Sequence, residues 1–142
     1  MNPGGRLEER RVPASAFAAG CQVMAEHGLT PIVTWGPGEE ALAAEVCSGC
    51  PQAVLAPATD LDGLAAALKA SAMVLCNNTG PMHLAVAVGT PTLALFSNID
   101  MARWSHAYDP HVSLDVTAWL GDPVALERAV IGAVAAFLKR RL

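Results

Sequence analysis

Short apolar segments with the composition of β-strands recur about every twenty residues, and a helix-like stretch fills each gap between them. These segments begin near residues 31, 53, 72 and 92. They are continuously apolar, whereas a strand with one face in water alternates polar and apolar residues. Continuous apolarity is typical of parallel strands whose two faces are both covered by crossover helices. The pattern therefore predicts an α/β fold with a parallel sheet and helices on both faces.

The length of 142 residues predicts one domain with its own hydrophobic core. Residues 1–12 are polar and contain glycine, and we expect them to form a flexible lead-in. Helical spacing begins after Pro13, so the domain is predicted to span residues 13–142. A last amphipathic helix is predicted after Asp122, with basic residues at its carboxyl end, where the helix dipole favours them.

The composition is poor in charge, with 53% hydrophobic and only 15% charged residues. This predicts an apolar face that is covered by another domain or by a second copy in a homodimer. A net charge of −4 argues against a nucleic-acid binder, because such proteins need clustered Lys or Arg. No apolar run has the length of a membrane helix, and the polar first residues do not resemble a signal peptide. We expect a cytoplasmic protein without a transmembrane segment.

The four cysteines predict free thiols in a reducing compartment. Cys47 and Cys50 have the spacing of metal ligands or of a redox pair, but no second Cys-x-x-Cys motif completes a zinc site. Cys21 and Cys76 lie among apolar neighbours and are interpreted as buried small hydrophobic residues. We therefore predict no metal, and stoichiometric zinc in the purified protein would reveal the alternative.

The strand that begins near residue 72 runs through Asn77 and Asn78 into Thr79, Gly80 and a helix. In an open parallel sheet, ligands bind beyond the carboxyl ends of the strands. The amides of Met82 and His83 are expected to be free at the positive end of this helix, which is a suitable place for a phosphate. On spacing alone, an ordinary capped helix is the favoured interpretation, because junctions of strand, glycine and helix are common.

Charged side chains are absent between residues 70 and 99, so a cation for a phosphate must come from elsewhere, and Arg10 and Arg103 are the candidates. Glu39 and Glu40 follow a glycine turn at a helix start. They are interpreted either as helix-capping residues or as acceptors for ribose hydroxyls. The loop residues Trp104, His106, Tyr108 and His111 either stack on a base or are buried under the last helix.

The stretch from Asn78 to Phe96 reads Asn-Thr-Gly-Pro-Met-His-Leu-Ala-Val-Ala-Val-Gly-Thr-Pro-Thr-Leu-Ala-Leu-Phe. It resembles the signature of the heptosyltransferase family of lipopolysaccharide synthesis (glycosyltransferase family 9), Asp-Thr/Ser-Gly-Pro-x-His-Leu-Ala-Ala-Ala-Leu-Gly-Thr-Pro-x-x-Ala-Leu-Phe. Weaker resemblance covers Pro13–Gly28, Trp35–Glu40 and Leu61–Ser71. The resemblance implies one half of a GT-B fold, the carboxyl-terminal Rossmann-like half. That half binds a nucleotide-diphosphate sugar, typically ADP-heptose, as its substrate and needs no obligatory metal or cofactor.

The same resemblance implies roles for individual residues. A ribose-contacting carboxylate is matched by Glu39 or Glu40, and Thr59 falls where the family lines its adenine pocket. Arg10 falls where the family has a phosphate-contacting Lys. The residues implied to surround the diphosphate and sugar are Asn78, Thr79, Gly80, Met82 and His83.

The chain departs from the family in two respects. Asn78 replaces an Asp of the signature, which removes a charge that faces the donor. The amino-terminal half, which supplies the acceptor site and the catalytic base in the family, has no counterpart here, so no catalytic residue is assigned. We expect a donor-binding domain of a glycosyltransferase that transfers a sugar to a lipid-linked acceptor, with the acceptor half as a missing domain or a separate subunit. It would be peripheral to the inner membrane through that acceptor and inactive alone. The alternative is a non-enzymatic α/β interaction or dimerisation module.

Overall fold

The computed structural model describes residues 1–8, 11–97 and 101–141. Six helices and five strands alternate along these residues, and a 3-10 turn covers Thr117–Trp119. The elements are α1 (Ala14–Glu26), β1 (Ile32–Val33), α2 (Glu40–Ser48), β2 (Val54–Leu55), α3 (Leu61–Lys69), β3 (Val74–Asn77), α4 (Gly80–Ala87), β4 (Thr92–Phe96), α5 (Met101–Trp104), β5 (Val112–Asp115) and α6 (Pro123–Arg141).

All strand pairs are parallel, in two groups: β1 with β2, and β3 with β4 and β5. The first two residues of the chain join the groups. The Met1 ammonium donates to Ile32 O at 2.7 Å, and Thr34 N donates to Met1 O at 2.8 Å. On the other side, Asn2 N donates to Leu75 O at 3.0 Å, and Asn2 forms a parallel bridge with Cys76. The spatial order is therefore β2, β1, residues 1–2, β3, β4, β5, which is the doubly wound order.

Residues 1–5 are buried, so the expectation of a flexible lead-in over residues 1–12 is wrong for them. Their backbone is ordered because it lies between two strands and shares their hydrogen bonds. Burial also lowers the pKa of the Met1 amino group, since the charged form loses its hydration.

At β3 and β4 the sheet is covered on both faces, as the continuous apolar strands predict. Leu75 of β3 and Leu93 and Leu95 of β4 pack into a core with α1, α2 and α6. The alternate residues of the same strands lie in a second core with α3 and α4; these are Val74, Cys76, Ala94 and Phe96. This alternation follows from the two-residue period of a strand. The predicted α/β class and parallel sheet are confirmed.

One part of the sheet has an apolar face in contact with solvent. Ile32 and Val54 are register partners in β1 and β2, and they are 51% and 49% exposed. This is an apolar surface of the kind that the low charge predicts. In the described part of the chain, no helix is both long enough and apolar enough to span a membrane.

The close approach of α1 to the sheet depends on Gly20. A Cβ at this position would lie 2.7 Å from Leu75 Cδ2. Gly20→Ala is expected to lower the free energy of unfolding by about 1–3 kcal/mol, because the added methyl overpacks a filled core. Urea-induced unfolding measures the change.

Gly132 of α6 is the matched control, because a Cβ there meets no atom within 4 Å. Gly132→Ala is expected to raise the free energy of unfolding by about 0.5–1 kcal/mol through helix propensity alone. An equal gain in both variants would contradict the packing of α1 against Leu75.

Candidate functional site

A cavity of about 370 Å³ opens at the carboxyl ends of the strands. Four loops line it: those that follow residues 1–2, β1, β2 and β3. This is the edge of a doubly wound sheet at which ligands bind. The principal lining residues are Gly4, Gly5, Arg6, Trp35, Gly36, Glu39, Thr59, Asp60, Leu61, Leu64, Thr79 and Gly80.

Four of the residues predicted for the site line this cavity together: Glu39, Thr59, Thr79 and Gly80. Asn78 lies next to them, in an adjoining cavity of about 170 Å³ whose wall also includes Gly5, Arg6, Thr79 and Gly80. The structure therefore brings together residues that lie up to 41 positions apart in the sequence, between 39 and 80.

Other predicted residues are not brought to the cavity. Glu40 is exposed in the first turn of α2. Met82 is only 1% exposed and packs in the core beneath α4. His83 is exposed on α4 and contacts the segment after α5. Arg10 lies outside the described residues, and Arg103 packs over the Trp104 ring.

The amides at the start of α4 also differ from the prediction. Met82 N and His83 N both donate to Thr79 O, at 3.0 and 3.4 Å, so the expectation that these two amides are free is wrong. Pro81 has no amide hydrogen. The donor that α4 presents toward the cavity is therefore the Gly80 amide, at the first position of the helix. The neighbouring Thr79 hydroxyl donates to Asn77 O at 3.4 Å.

The Glu39 carboxylate links two loops of the cavity. Its Oε1 accepts from Gly5 N at 3.1 Å, and its Oε2 accepts from Gly36 N at 3.2 Å. Arg11 adds a cation 3.7 Å from Oε1 and donates through Nε to Gly5 O at 2.6 Å. The side chain does not cap α2. A Cβ on Gly4 would overlap this carboxylate, so a larger residue there would displace Glu39 from its bonds to Gly5 and Gly36.

Asn77 is buried and fixes the loop that follows residues 1–2. Its Nδ2 donates to Pro3 O at 2.8 Å, and its Oδ1 accepts from Val12 N at 3.2 Å. The Asn77 side chain is thereby hydrogen-bonded to both ends of the segment that contains Gly5 and Arg6. The sequence pattern points to Asn78 and does not identify Asn77 or that segment. The repeated pattern of Asn and Gly after a strand, at residues 2–5 and 77–80, was the signal that could have found them.

The loop after α5 forms a chain of aromatic rings. His83 Nδ1 lies 2.7 Å from His106 Nε2. The rings of His106, Tyr108 and His111 then follow edge to face. Tyr108 and Trp104 are 57% and 43% exposed, so their predicted burial under the last helix is wrong, whereas His111 is buried. None of these residues lines the cavity.

The cysteines are all free thiols, and burial raises the pKa of Cys21 and of Cys76 to about 12. Such thiols are poor nucleophiles near neutral pH. Within residues 1–8, 11–97 and 101–141, no three His, Cys, Asp or Glu side chains are grouped so that they could bind a metal ion.

A second cavity, of about 320 Å³, lies at the opposite edge of the sheet. Its walls include Leu29, Ile32, Leu68 and Met73, and among the residues that the structure describes no charged side chain lines it. A diphosphate is therefore better matched to the cavity at the carboxyl ends, where Arg6 and the start of α4 lie.

Comparison with known proteins places these features in a family. Residues 1–119 match the model of glycosyltransferase family 9 (heptosyltransferase). Lipopolysaccharide heptosyltransferase 3 of Escherichia coli is 28% identical over 111 residues, which are 75% of this chain and 32% of that protein.

Two solved structures of Escherichia coli heptosyltransferase WaaC share the fold. The structure with ADP superimposes with a TM-score of 0.80 at 19% identity, covering 99% of this chain and 42% of that one. The structure with ADP-2-deoxy-2-fluoro heptose gives 0.76 at 19% identity, with 99% and 42% covered. The chain thus spans less than half the length of these relatives.

Replacing Asn77 with aspartate tests whether its amide fixes the loop. Asn77→Asp removes the donor to Pro3 O and buries a charge, so the free energy of unfolding at pH 7 is expected to fall by about 2–3 kcal/mol. Burial raises the pKa of the new carboxyl, so the loss shrinks as the pH falls through that value and the protonated group donates again. Urea denaturation at pH 7 and pH 5 measures both effects.

Asn78→Asp is the matched control. Asn78 is half-buried beside the smaller cavity, and its replacement is expected to change stability by no more than about 0.5 kcal/mol. Equal losses from the two substitutions would show that Asn77 has no special role in fixing the loop.

Proposed function

The chain belongs to glycosyltransferase family 9, the heptosyltransferase family, and from this we propose that its carboxyl-edge cavity binds the nucleotide diphosphate of a sugar donor. The observation that carries the proposal is the convergence of Glu39, Thr59, Thr79 and Gly80 on one cavity. Support comes from the WaaC structures, which contain ADP and an ADP-heptose analogue.

The diphosphate is proposed to lie at the start of α4. The Gly80 amide supplies a donor there, and the positive end of the helix dipole favours an anion. The Thr79 hydroxyl makes only a long bond of 3.4 Å to Asn77 O, and we propose that it turns to a phosphate oxygen when the ligand binds. Arg6 lines both this cavity and the adjoining smaller one. It is a cation whose guanidinium suits phosphate oxygens. The same arrangement would stabilise the charge on a departing diphosphate during transfer.

The nucleoside is proposed to extend from α4 toward the loops after β1 and β2. Each carboxylate oxygen has two lone pairs, so Glu39 keeps acceptor capacity for ribose hydroxyls beyond its bonds to Gly5 and Gly36. Thr59, Leu61 and Leu64 form the next part of the wall and provide a mainly apolar surface for a base. The preferred donor is an ADP-sugar, with ADP-heptose the first candidate.

Sugar transfer also needs a general base within hydrogen-bond distance of the acceptor hydroxyl. Among the described residues that line the cavity, the carboxylates are Glu39 and Asp60. Glu39 is bonded to two backbone amides, and Asp60 caps α3 by accepting from Gly63 N at 2.7 Å. We propose that the base and the lipid-linked acceptor site lie on a second half, in the same polypeptide or another. The reaction is proposed to occur in the cytoplasm, at the membrane that carries the acceptor.

Calorimetric titration with ADP tests the nucleotide site. One ADP is expected to bind per chain. Glu39→Gln should weaken binding about tenfold, because a hydrogen bond to a charged acceptor is worth about 1.5–3 kcal/mol. Glu40→Gln is the matched control and should stay within about twofold of the wild type, since Glu40 does not line the cavity.

Absence of heat at millimolar ADP would contradict this function and would favour a non-enzymatic interaction module. Equal losses from the two glutamate variants would contradict the assignment of the ribose contact to Glu39.

A further inference from the structure

Two histidines that are 23 residues apart meet beside α4. His83 Nδ1 and His106 Nε2 are separated by 2.7 Å, and their rings are nearly perpendicular, at 77°. At this distance the two nitrogens share one hydrogen, which one ring donates and the other accepts. The contact leaves Nε2 as the nitrogen of His83 that is outside the pair.

The ring of His83 lines neither of the two adjoining cavities, but His83 is one helical turn along α4 from Gly80, where the diphosphate is proposed to lie. Gly80 lines the cavity, and residues three apart share one face of a helix. Cα–Cβ bonds in a helix tilt toward its amino terminus, so the His83 side chain leans toward the turn that contains Gly80. A donor at Nε2 of His83 would therefore be directed to the same end of α4 as the Gly80 amide.

The pair accommodates one additional proton without losing its contact. In the charged form, His83 donates from Nδ1 to His106 and carries a second N–H at Nε2. In the neutral form, only one hydrogen is shared and the hydrogen at Nε2 depends on the tautomer. Only in the charged form does Nε2 of His83, the nitrogen outside the pair, always carry a hydrogen.

When no anion is bound, the surroundings of the pair disfavour its protonated form. Desolvation lowers the pKa of His83, and the neighbouring His106 lowers it further. Between residues 70 and 97, α4 and its flanking strands contain no charged side chain.

On the loop side, Tyr108 packs on His106. Beyond Tyr108 lie His111 and Asp109, and the Asp109 carboxylate pairs with Arg141 at 2.6 Å. Arg103 of α5 packs on Trp104. No carboxylate of the described residues contacts the His83–His106 pair.

We propose that His106 is a positioning residue that orients His83, and that the His83 ring takes up one proton from solvent when a nucleotide diphosphate binds. The inference rests on the proposed function, because the anion at the start of α4 is the charge that favours the protonated pair. Opposite charge within a few ångströms raises the pKa of a histidine. Affinity for the diphosphate should consequently fall as the pH rises through the range in which the pair loses its proton.

Calorimetry with ADP between pH 5.5 and 8, in two phosphate-free buffers of different ionisation enthalpy, measures proton uptake per ADP bound. The terminal phosphate of ADP also titrates near pH 6, so the comparison is between variants with the same ligand. The wild type is expected to take up as much as about one proton more than His83→Gln or His106→Gln near pH 6.5. An excess of one proton means that the affinity for ADP rises by up to about tenfold for each unit by which the pH is lowered.

His27→Gln is the matched control. His27 lies at the end of α1, where its Nδ1 contacts Val23 O at 2.8 Å, and its replacement should leave proton uptake unchanged. At pH 8, His106→Gln should bind ADP more tightly than His106→Phe, because an amide can still donate to His83 Nδ1. If His106 only stabilised the fold, the wild type would show no extra proton uptake, and His106→Gln would bind ADP no more tightly than His106→Phe.

Equal proton uptake by the wild type and His106→Gln, with both proteins binding ADP, would overturn the inference and leave the nucleotide site intact. Failure of the wild type to bind ADP would overturn both. NMR titration of the His83 ring protons gives a measurement without variants: ADP should raise the pKa of His83. An unchanged pKa of His83 in the ADP complex would also overturn the inference.

Discussion

The two groups of parallel strands are joined by a single two-residue segment, because Met1 and Asn2 make the backbone hydrogen bonds that connect β1 to β3. The chain leaves this segment at the carboxyl edge of the sheet and turns through Pro3, Gly4 and Gly5. That turn has no secondary structure to fix it, and side chains from the neighbouring loops do so: Asn77 through Pro3 O and Val12 N, and Glu39 through Gly5 N. The cavity exists because these contacts place four loops around one space.

Charged side chains are rare around the start of α4, and this determines how an anion could be bound there. The elements from β3 to β4 contain no charged side chain, so a diphosphate at α4 would be bound by backbone and hydroxyl donors, with Arg6 as a cation from the adjacent loop. Few opposing charges mean that little desolvation of ion pairs accompanies ligand entry. Without a neighbouring carboxylate among the described residues, burial and then His106 lower the pKa of His83, and a bound anion would oppose both effects.

The fold was predictable from the sequence because buried parallel strands have a local signature. Continuous apolar runs at β3 and β4, and an N-cap such as Asp60, identify strands and helix starts from neighbouring residues alone. Residues 1–2 were missed since two residues carry no periodicity, and their role depends on strands 30 and 74 positions away. Of the site, Thr79 and Gly80 follow from a strand that runs directly into a helix. The inward orientation of Met82 depends on how α4 packs on the sheet, and the His83–His106 contact depends on the path of a loop; neither leaves a local pattern.

The central claim is that a nucleotide diphosphate binds at the carboxyl edge of the sheet, between the turn at Gly5 and the start of α4. Backbone amide NMR of the chain titrated with ADP tests it most directly, because Gly5, Gly36 and Gly80 each place an amide in or beside this cavity. The largest saturable shifts are expected at these three glycine amides. Shifts centred instead on Leu29, Ile32 and Met73, around the apolar cavity at the opposite edge, or no saturable shifts at millimolar ADP, would contradict it.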